Sequence, residues 1–510
     1  MEKNNEEKVN QNLKLIFKSS AIVFFGLVFS KIFTYLYRII IARYYGPEVY
    51  GLFSLAVMVL GFFVAFFSFG FQEGLLRFIS TYRGKNEKEK ISYVVKFSII
   101  FSLISSFFSS IILFFSAEFI SINIFHSSDL ILFLKIFSFL IPIYIFANIF
   151  LSILHAFEKI SWHSFILNIL QNAIKVFTLL FFIFLGLKTN AVIFSFFLGI
   201  FSMFLAGFLF CKYKIKNIFR RYVLNKEIKT QVSKDFLSYS WPLLFTGIIS
   251  TLLIWIDTFS IGYFLGVIEV GIYNAAIPIV ILIRFAPELF LKLFSPLITK
   301  EFHKGNKELV KELSQQVGKW IFFINLPFFL LILLFPESII NLFFGQEYLS
   351  ASNALRILSF GAFAISSVFI SSDLLAVVKK SKLMLFNLIG VSLVNFTLNF
   401  ILVPKYGLEG AAIATTTSNL ILATAFFFQA KHYTSIIPLK KNMLKIFLVS
   451  LIPFILVFFM KKFIFINFFS FILLATFFSL SYFLLLFITK CLDEKDFMIL
   501  KTIKEKIIRG

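Results

Sequence analysis

Charge is scarce in this sequence of 510 residues: Asp, Glu, Lys and Arg together make up 15%, where soluble domains carry about a quarter. Cysteine is scarcer still. Cys211 and Cys491 are the only two, each at the end of an apolar run, and they read as free thiols with neither a disulfide framework nor a zinc pattern. The five histidines, at 126, 155, 163, 303 and 432, are scattered, and no glycine loop with a following lysine is present to cradle a nucleotide. Nothing therefore points to covalent chemistry, a metal or a cofactor. What is abundant is hydrocarbon. The composition is 59% hydrophobic with a mean hydropathy of +0.92, and the 78 phenylalanines outnumber the charged residues of both signs together. Such a composition excludes a soluble domain and describes a polytopic, all-helical membrane protein.

Runs long enough to cross a ~30 Å hydrocarbon layer as ~20-residue helices occur near 19–42, 50–72, 92–116, 131–153, 162–187, 190–211, 236–263, 271–293, 318–336, 352–376, 383–403, 408–430, 442–460 and 464–489. The expectation is fourteen spans. Residues 1–12, MEKNNEEKVNQN, are polar and no small-residue cleavage site follows the first apolar run, so that run reads as a retained signal anchor. The net charge of +23 raises the question of nucleic acid. With the N-terminus inside, 38 of the 49 Lys and Arg fall at the N-terminus, the C-terminus and the loops of the inner face, and 5 (Arg43, Lys188, Lys405, Lys461 and Lys462) on the opposite face. That asymmetry is the positive-inside pattern. It accounts for the basicity by topology, places both termini in the cytoplasm, and removes nucleic acid as a partner.

The chain repeats itself weakly. Gly46 to Ala56 reads GPEVYGLFSLA and Gly266 to Ala276 reads GVIEVGIYNAA, an offset of 220. Asn168 with Val176–Leu179 is echoed by Asn387 with Asn395–Leu398, and Gly186-Leu187 by Gly407-Leu408, at offsets of 219 and 221. An even number of spans separates the copies, so the repeat is parallel: two six-helix bundles related by an axis along the membrane normal. The expected divisions are 1–211 for the first bundle, 212–235 for a basic cytoplasmic linker, 236–430 for the second bundle, and 431–510 for two appended spans with a tail. The appended spans 442–460 and 464–489 are apolar apart from their ends, and are expected to border a groove for a lipid tail or to serve as anchors.

Six cations lie within spans: Lys31, Arg38, Lys135, Lys175, Arg284 and Arg356. Charge at mid-bilayer costs several kcal/mol and such side chains face a bundle interior or a wet cavity. In the first span Ser20, Lys31, Thr34 and Arg38 fall within about a 60° sector, with Leu27 the apolar exception, and Lys31 and Arg38 stand roughly 10 Å apart along the axis. Asp257, whose counterpart in the repeat is Tyr37, could balance a first-span cation. Arg284 and Glu288 are spaced i, i+4, which suits an intrahelical ion pair or a place in a cavity. Lys175 shares the fifth span with Gln171 and Asn172, and the eleventh carries Asn387, Asn395 and Asn399. These amides either bind helices to one another or line a cavity that accepts sugar. Lys135, Arg356 and Asp373 read as interfacial. The outer loops are too short to hold a catalytic domain, which leaves transport.

Several stretches resemble one family. ARYYGPEVYGLFSLA (Ala42 to Ala56), FGFQEGLLRFIS after the second span, WIDTFSIGYFLGVIEVGIYNAA (Trp255 to Ala276) and NFTLNFILVPKYGLEGAAIAT (Asn395 to Thr415) are similar to polysaccharide-biosynthesis flippases of the O-antigen transporter type. These belong to the multidrug/oligosaccharidyl-lipid/polysaccharide exporter superfamily. The resemblance covers essentially the whole chain. It implies a MATE-like fold in the cytoplasmic membrane, and a non-enzymatic carrier, without cofactors, for a polyprenyl-(pyro)phosphate-linked oligosaccharide. It further implies a monomer working beside a glycan polymerase and glycosyltransferases. Lys31, Arg38, Arg284 and Lys175 would then hold the phosphates, Asp257 and Glu288 would balance or couple charge, and Thr34, Asn172, Asn395 and Asn399 would line the cavity. Lys31 and Arg284 are expected to converge from the two bundles.

Three alternatives follow. Lipid II flippases share the first-span FSK (Phe29 to Lys31), but have an Arg-Asp pair where this chain has Tyr37-Arg38. Multidrug exporters are acidic where this chain is basic. A membrane-embedded glycan polymerase or glycosyltransferase would be expected to carry a sizeable outer loop.

Overall fold

The structure, a computed structural model, describes residues 2–215, 218, 220, 224–464, 466–491 and 496, with side chains omitted at 2–29, 289 and 291–293. The side chains of Ser20 and Leu27 in the first-span stripe therefore go undescribed, and much of the basic stretch after 215 and the tail beyond 496 lie outside the described residues. Among these residues every regular element is a helix. They are α1 (Glu2–Phe67), α2 (Phe71–Gly84), α3 (Lys88–Phe119), α4 (Leu130–Ala156), α5 (Ile160–Ser164), α6 (Gln171–Phe184), α7 (Asn190–Lys214), α8 (Lys226–Phe264) and α9 (Val267–Ile283). The chain continues through α10 (Phe285–His303), α11 (Lys307–Leu334), α12 (Pro336–Phe343), α13 (Ser352–Ser367), α14 (Phe369–Val377), α15 (Ser381–Thr434), α16 (Lys441–Phe463) and α17 (Phe468–Ile488). Among the described residues eleven helical segments are long and apolar enough to cross a membrane, and α9 is a shorter apolar helix. The protein is thus a multi-pass membrane protein.

Three expected spans are less regular than their hydropathy suggests. The run 271–293 is two helices, α9 and α10, meeting at Arg284. Pro287 explains the break, because its ring would collide with the carbonyl four residues earlier, at Ile283. Arg284 and Glu288 consequently do not share one continuous helix, which corrects the intrahelical spacing read from sequence. The run 352–376 is likewise divided, into α13 and α14, at Val368. In the fifth span, α5 passes into α6 through a π-helical turn, Phe165–Leu170.

Contacts gather residues 27–274 into one compact unit, and residues 1–26 with 275–510 into another. In the first, α1 is two helices hinged at Gly46, whose φ of 80° and ψ of −178° suit a residue with no Cβ. Across this hinge the Tyr37 ring meets Phe53 edge-on at 5.7 Å. Helices α8 and α9 turn about Gly266, and there Tyr273 donates to Asp257 at 2.6 Å. The two hairpins cross where backbones touch. A Cβ on Gly51 would overlap the carbonyl oxygen of Val267, and a Cβ on Gly271 would overlap that of Pro47. The contact is reciprocal, each glycine receiving the carbonyl four residues before the other. Elsewhere in this unit Phe236 of α8 packs among Phe71, Phe78 and Phe97, and the Arg77 guanidinium lies 4.1 Å over the Tyr239 ring.

In the second unit α15 folds back on itself at Gly407 (φ 58°, ψ −135°). Reciprocal amide bonds between Asn387 and Gln429, at 2.6 and 3.0 Å, close the hairpin at its open end. Helices α16 and α17 lean on α11: Tyr482 donates to Phe323 O at 3.0 Å, and Lys461 to Leu334 O at 2.7 Å. Lys319, counted with the loop cations in the sequence, is 1% exposed on α11 and pairs with Asp496, which also accepts from Gln316 at 2.7 Å and Trp320 at 2.8 Å.

Two stability changes follow. Gly51→Ala must push two backbones apart, a cost of about 1–3 kcal/mol or more, and is expected to lower the yield of monodisperse protein in detergent, where Gly84→Ala, with open space around it, leaves it unchanged. Asp496→Ala strands a buried ammonium at a cost of about 3–5 kcal/mol, and should lower the thermal midpoint clearly more than Asp496→Asn in the same detergent.

Candidate functional site

The first half of α1 carries Lys31, Thr34 and Arg38, and its rotation is fixed by the residue beside them. Tyr37 is 4% exposed, donates to Val192 O at 3.1 Å, and shares a hydrogen bond of 3.0 Å with Ser195 Oγ. Pinned in this way to α7, the helix leaves Lys31, Thr34 and Arg38 only partly covered. Thr34 Oγ1 donates to Ser30 O at 2.9 Å, so its proton stays within the helix and its lone pairs are what it offers. The Arg38 guanidinium lies within hydrogen-bonding reach of the Tyr50 oxygen, and the Tyr50 hydroxyl itself donates to Asn274 O at 3.2 Å. Arg38 is thereby held at the crossing of the two hairpins.

Lys175 approaches the same place from α6. It is buried, its ammonium stands 4.6 Å from the centroid of Phe196, and it is close enough to Arg38 for the two cations to repel. An aromatic face repays part of the desolvation of an ammonium, while the neighbouring guanidinium works against it. The pair gains stability when an anion enters between or beside them. The structure brings Arg38 and Lys175 together, which their positions in different spans did not disclose. Asp257, also buried in this unit, accepts from Tyr273.

The amides serve their own helices. Asn172 Nδ2 donates to Asn168 O at 3.0 Å, Asn168 Nδ2 to Ser164 Oγ at 3.1 Å, and Gln171 Nε2 to Leu167 O at 2.5 Å. These bonds run along and beside the π-helical turn, where the backbone register is shifted by one residue. In the other unit Asn395 Nδ2 donates to Thr415 Oγ1 at 3.1 Å and so joins the two halves of α15, while Asn399 Nδ2 donates to Asn395 O at 3.1 Å within the first half. Arg284, at the break between α9 and α10, and Glu288, in the first turn of α10, are exposed.

One feature of the 27–274 unit escaped the sequence reading. A cavity of about 470 Å³ lies between the second half of α1, the start of α2, α4 and α8, and its lining includes Gln72, Glu73, Tyr144, Asn148, Thr251 and Trp255. The spacing of Tyr144 and Asn148, i and i+4 on an otherwise apolar span, was the available signal.

Comparison with known proteins places this geometry. The family model described as polysaccharide biosynthesis protein matches residues 16–285, and the MatE model matches residues 242–401. An uncharacterized membrane protein of Methanocaldococcus jannaschii is 27% identical over 452 residues, 84% of this chain and 87% of its own length. A candidate O-antigen transporter of Shigella flexneri is 25% identical over 73% of this chain and 88% of its own length. Among solved structures, the lipid II flippase MurJ in an inward closed conformation aligns with a TM-score of 0.74 at 21% identity, covering 91% of this chain and 98% of that one.

Proposed function

Because this chain belongs to the polysaccharide biosynthesis protein family, within the superfamily that holds the MATE-like exporters, we propose that it is a flippase for a polyprenyl-(pyro)phosphate-linked oligosaccharide. The lipid-linked glycan is carried from the inner to the outer leaflet of the cytoplasmic membrane by alternating access, for assembly of a surface polysaccharide or glycoconjugate. The protein is not an enzyme; the named proteins it resembles are a transporter and a flippase. The observation that carries the reading is the cationic cluster. Lys175 is buried in an apolar bundle within electrostatic range of Arg38, and Lys31 lies two turns from Arg38 along α1. Cations held against one another in hydrocarbon are costly, and a phosphate that must itself cross the hydrocarbon is the ligand whose charge offsets theirs. Arg284 is proposed as the corresponding cation of the second half. Asp257 and Glu288 take the charge-balancing or coupling role, and Thr34, with Asn172, Asn395 and Asn399, supports the polar path.

The helices favour fourteen spans, for both segments broken at a single glycine contain two helices and α9 adds a shorter one. The reciprocal crossing of Gly51 and Gly271, 220 positions apart, together with Tyr37–Phe53 standing where Asp257–Tyr273 stands at the same offset, favours two parallel six-helix bundles at 1–211 and 236–430. The basic stretch 212–235 links them and α16–α17 are appended. The lysine and arginine distribution supports cytoplasmic termini. A monomer, working near a glycan polymerase and glycosyltransferases, completes the reading.

In proteoliposomes with a fluorescent polyprenyl-diphosphate-linked glycan, Lys31→Ala and Arg38→Ala are expected to abolish translocation while leaving the amount and dispersity of folded protein unchanged. Lys31→Arg should retain more activity than Lys31→Ala, since a mobile phosphate reads charge more than shape. Arg284→Ala should lose activity as well. Parental rates in the Lys31 and Arg38 alanine variants would refute the assignment.

A further inference from the structure

The cavity among α1, α2, α4 and α8 is chemically unlike the cationic cluster. Its lining has no lysine or arginine, and one carboxylate, Glu73, faces it; an anion entering there would meet repulsion and no counter-charge. Yet the cavity is far from apolar. Among the described residues, the side chains of Gln72, Tyr144, Asn148 and Trp255 make no hydrogen bond to any other group, so two amides, a phenol and an indole N–H remain with their capacity unused around one space. The hydroxyls differ. Thr251 Oγ1 donates to Gly247 O at 2.9 Å, Ser250 Oγ to Thr246 O at 2.8 Å, and Ser68 Oγ to Ala65 O at 3.2 Å, which leaves their oxygens as acceptors. The wall therefore presents mixed donors and acceptors, two aromatic rings and a single carboxylate. Along α8 it runs from Leu243 to Trp255, about 18 Å at 1.5 Å per residue. At about 470 Å³ it falls in the range of small-molecule sites, roughly 300–1,000 Å³.

A neutral polyhydroxylated ligand answers each of these features. Sugar hydroxyls both donate and accept, so they satisfy amides, acceptor oxygens and a carboxylate together, and the apolar C–H face of a pyranose packs on an aromatic ring. We propose that this cavity is a neutral-sugar subsite, which receives the glycan of the lipid-linked substrate while the cations Lys31, Arg38 and Lys175 hold its phosphate. The inference rests on the flippase reading and adds to it a division of labour between two places in one unit. Gly61 and Gly247 belong to the wall, and no atom stands within 4 Å of a Cβ built on Gly247. A larger side chain at 247 can thus fill the cavity without displacing backbone.

The test uses the full chain in lipid nanodiscs and two kinds of probe. One is farnesyl diphosphate; the other is the same lipid carrying glucose, N-acetylglucosamine or rhamnose on its terminal phosphate, with affinities read by microscale thermophoresis. At least one sugar-bearing probe is expected to bind tenfold or more tightly than farnesyl diphosphate. Asn148→Ala, Trp255→Ala and Gly247→Leu should each reduce that ratio to near one, with the affinity for farnesyl diphosphate unchanged. Lys31→Ala and Arg38→Ala should weaken both kinds of probe and preserve the ratio. Equal binding of all probes by the parental protein, or a ratio that survives Asn148→Ala and Gly247→Leu, would overturn the sugar subsite alone. Farnesyl diphosphate affinity untouched by Lys31→Ala and Arg38→Ala would instead overturn the phosphate-binding reading on which it rests.

Discussion

Two backbones in direct contact hold the 27–274 unit in register. Where α1 crosses α9, a carbonyl from each side occupies the space that a side chain would need at Gly51 and at Gly271. Hydrocarbon offers no hydrophobic drive to press one helix on another, so close approach through small residues and the dispersion it permits must supply the adhesion. Everything placed near the crossing inherits its precision. The Tyr50 hydroxyl, beside Gly51, reaches Asn274 O one turn from Gly271, and the Arg38 guanidinium lies within hydrogen-bonding reach of the same phenol. A cation that has to meet a ligand at a defined depth is thereby mounted beside a direct backbone-to-backbone contact.

The treatment of charge differs between the two units. In the second, the buried Lys319 has a full counter-charge in Asp496, and the carboxylate is further occupied by Gln316 and Trp320. That arrangement is closed and structural. In the first unit the buried Lys175 has a ring beneath it and another cation within electrostatic range, and among the described residues no carboxylate pairs with it. The same chemistry of burial thus separates an anchoring cation from a binding one, and the difference lies in what surrounds each.

Much of the architecture was legible from hydropathy, because ~20-residue apolar runs have few alternatives in a bilayer. The glycines that mark the repeat in the sequence, 46/266 and 186/407, all take positive φ. Finer features escaped for reasons that are local and steric. Pro287 divides the eighth span at Arg284 by a clash with a carbonyl four residues back, and nothing in a hydropathy profile registers it. The π-helical turn at 165–170 interrupts the fifth span just before Gln171, Asn172 and Lys175, and hydropathy does not register it. Arg38 and Lys175 are 137 positions apart, and their proximity depends on the packing of α1, α6 and α7. The polar cavity was hidden because its walls come from four helices that are distant in sequence.

The hinge at Gly46 joins two helices through a single residue, as Gly407 does in α15. Such a connection has no slack. Its two arms cannot slide independently, so each hairpin transmits displacement from one end to the other as a stiff lever does, and conformational change must be taken up elsewhere. The same economy leaves almost no loop at these turns. A protease or an antibody arriving at either turn would find a backbone already committed to helical hydrogen bonds on both sides of one glycine, and little loop to seize.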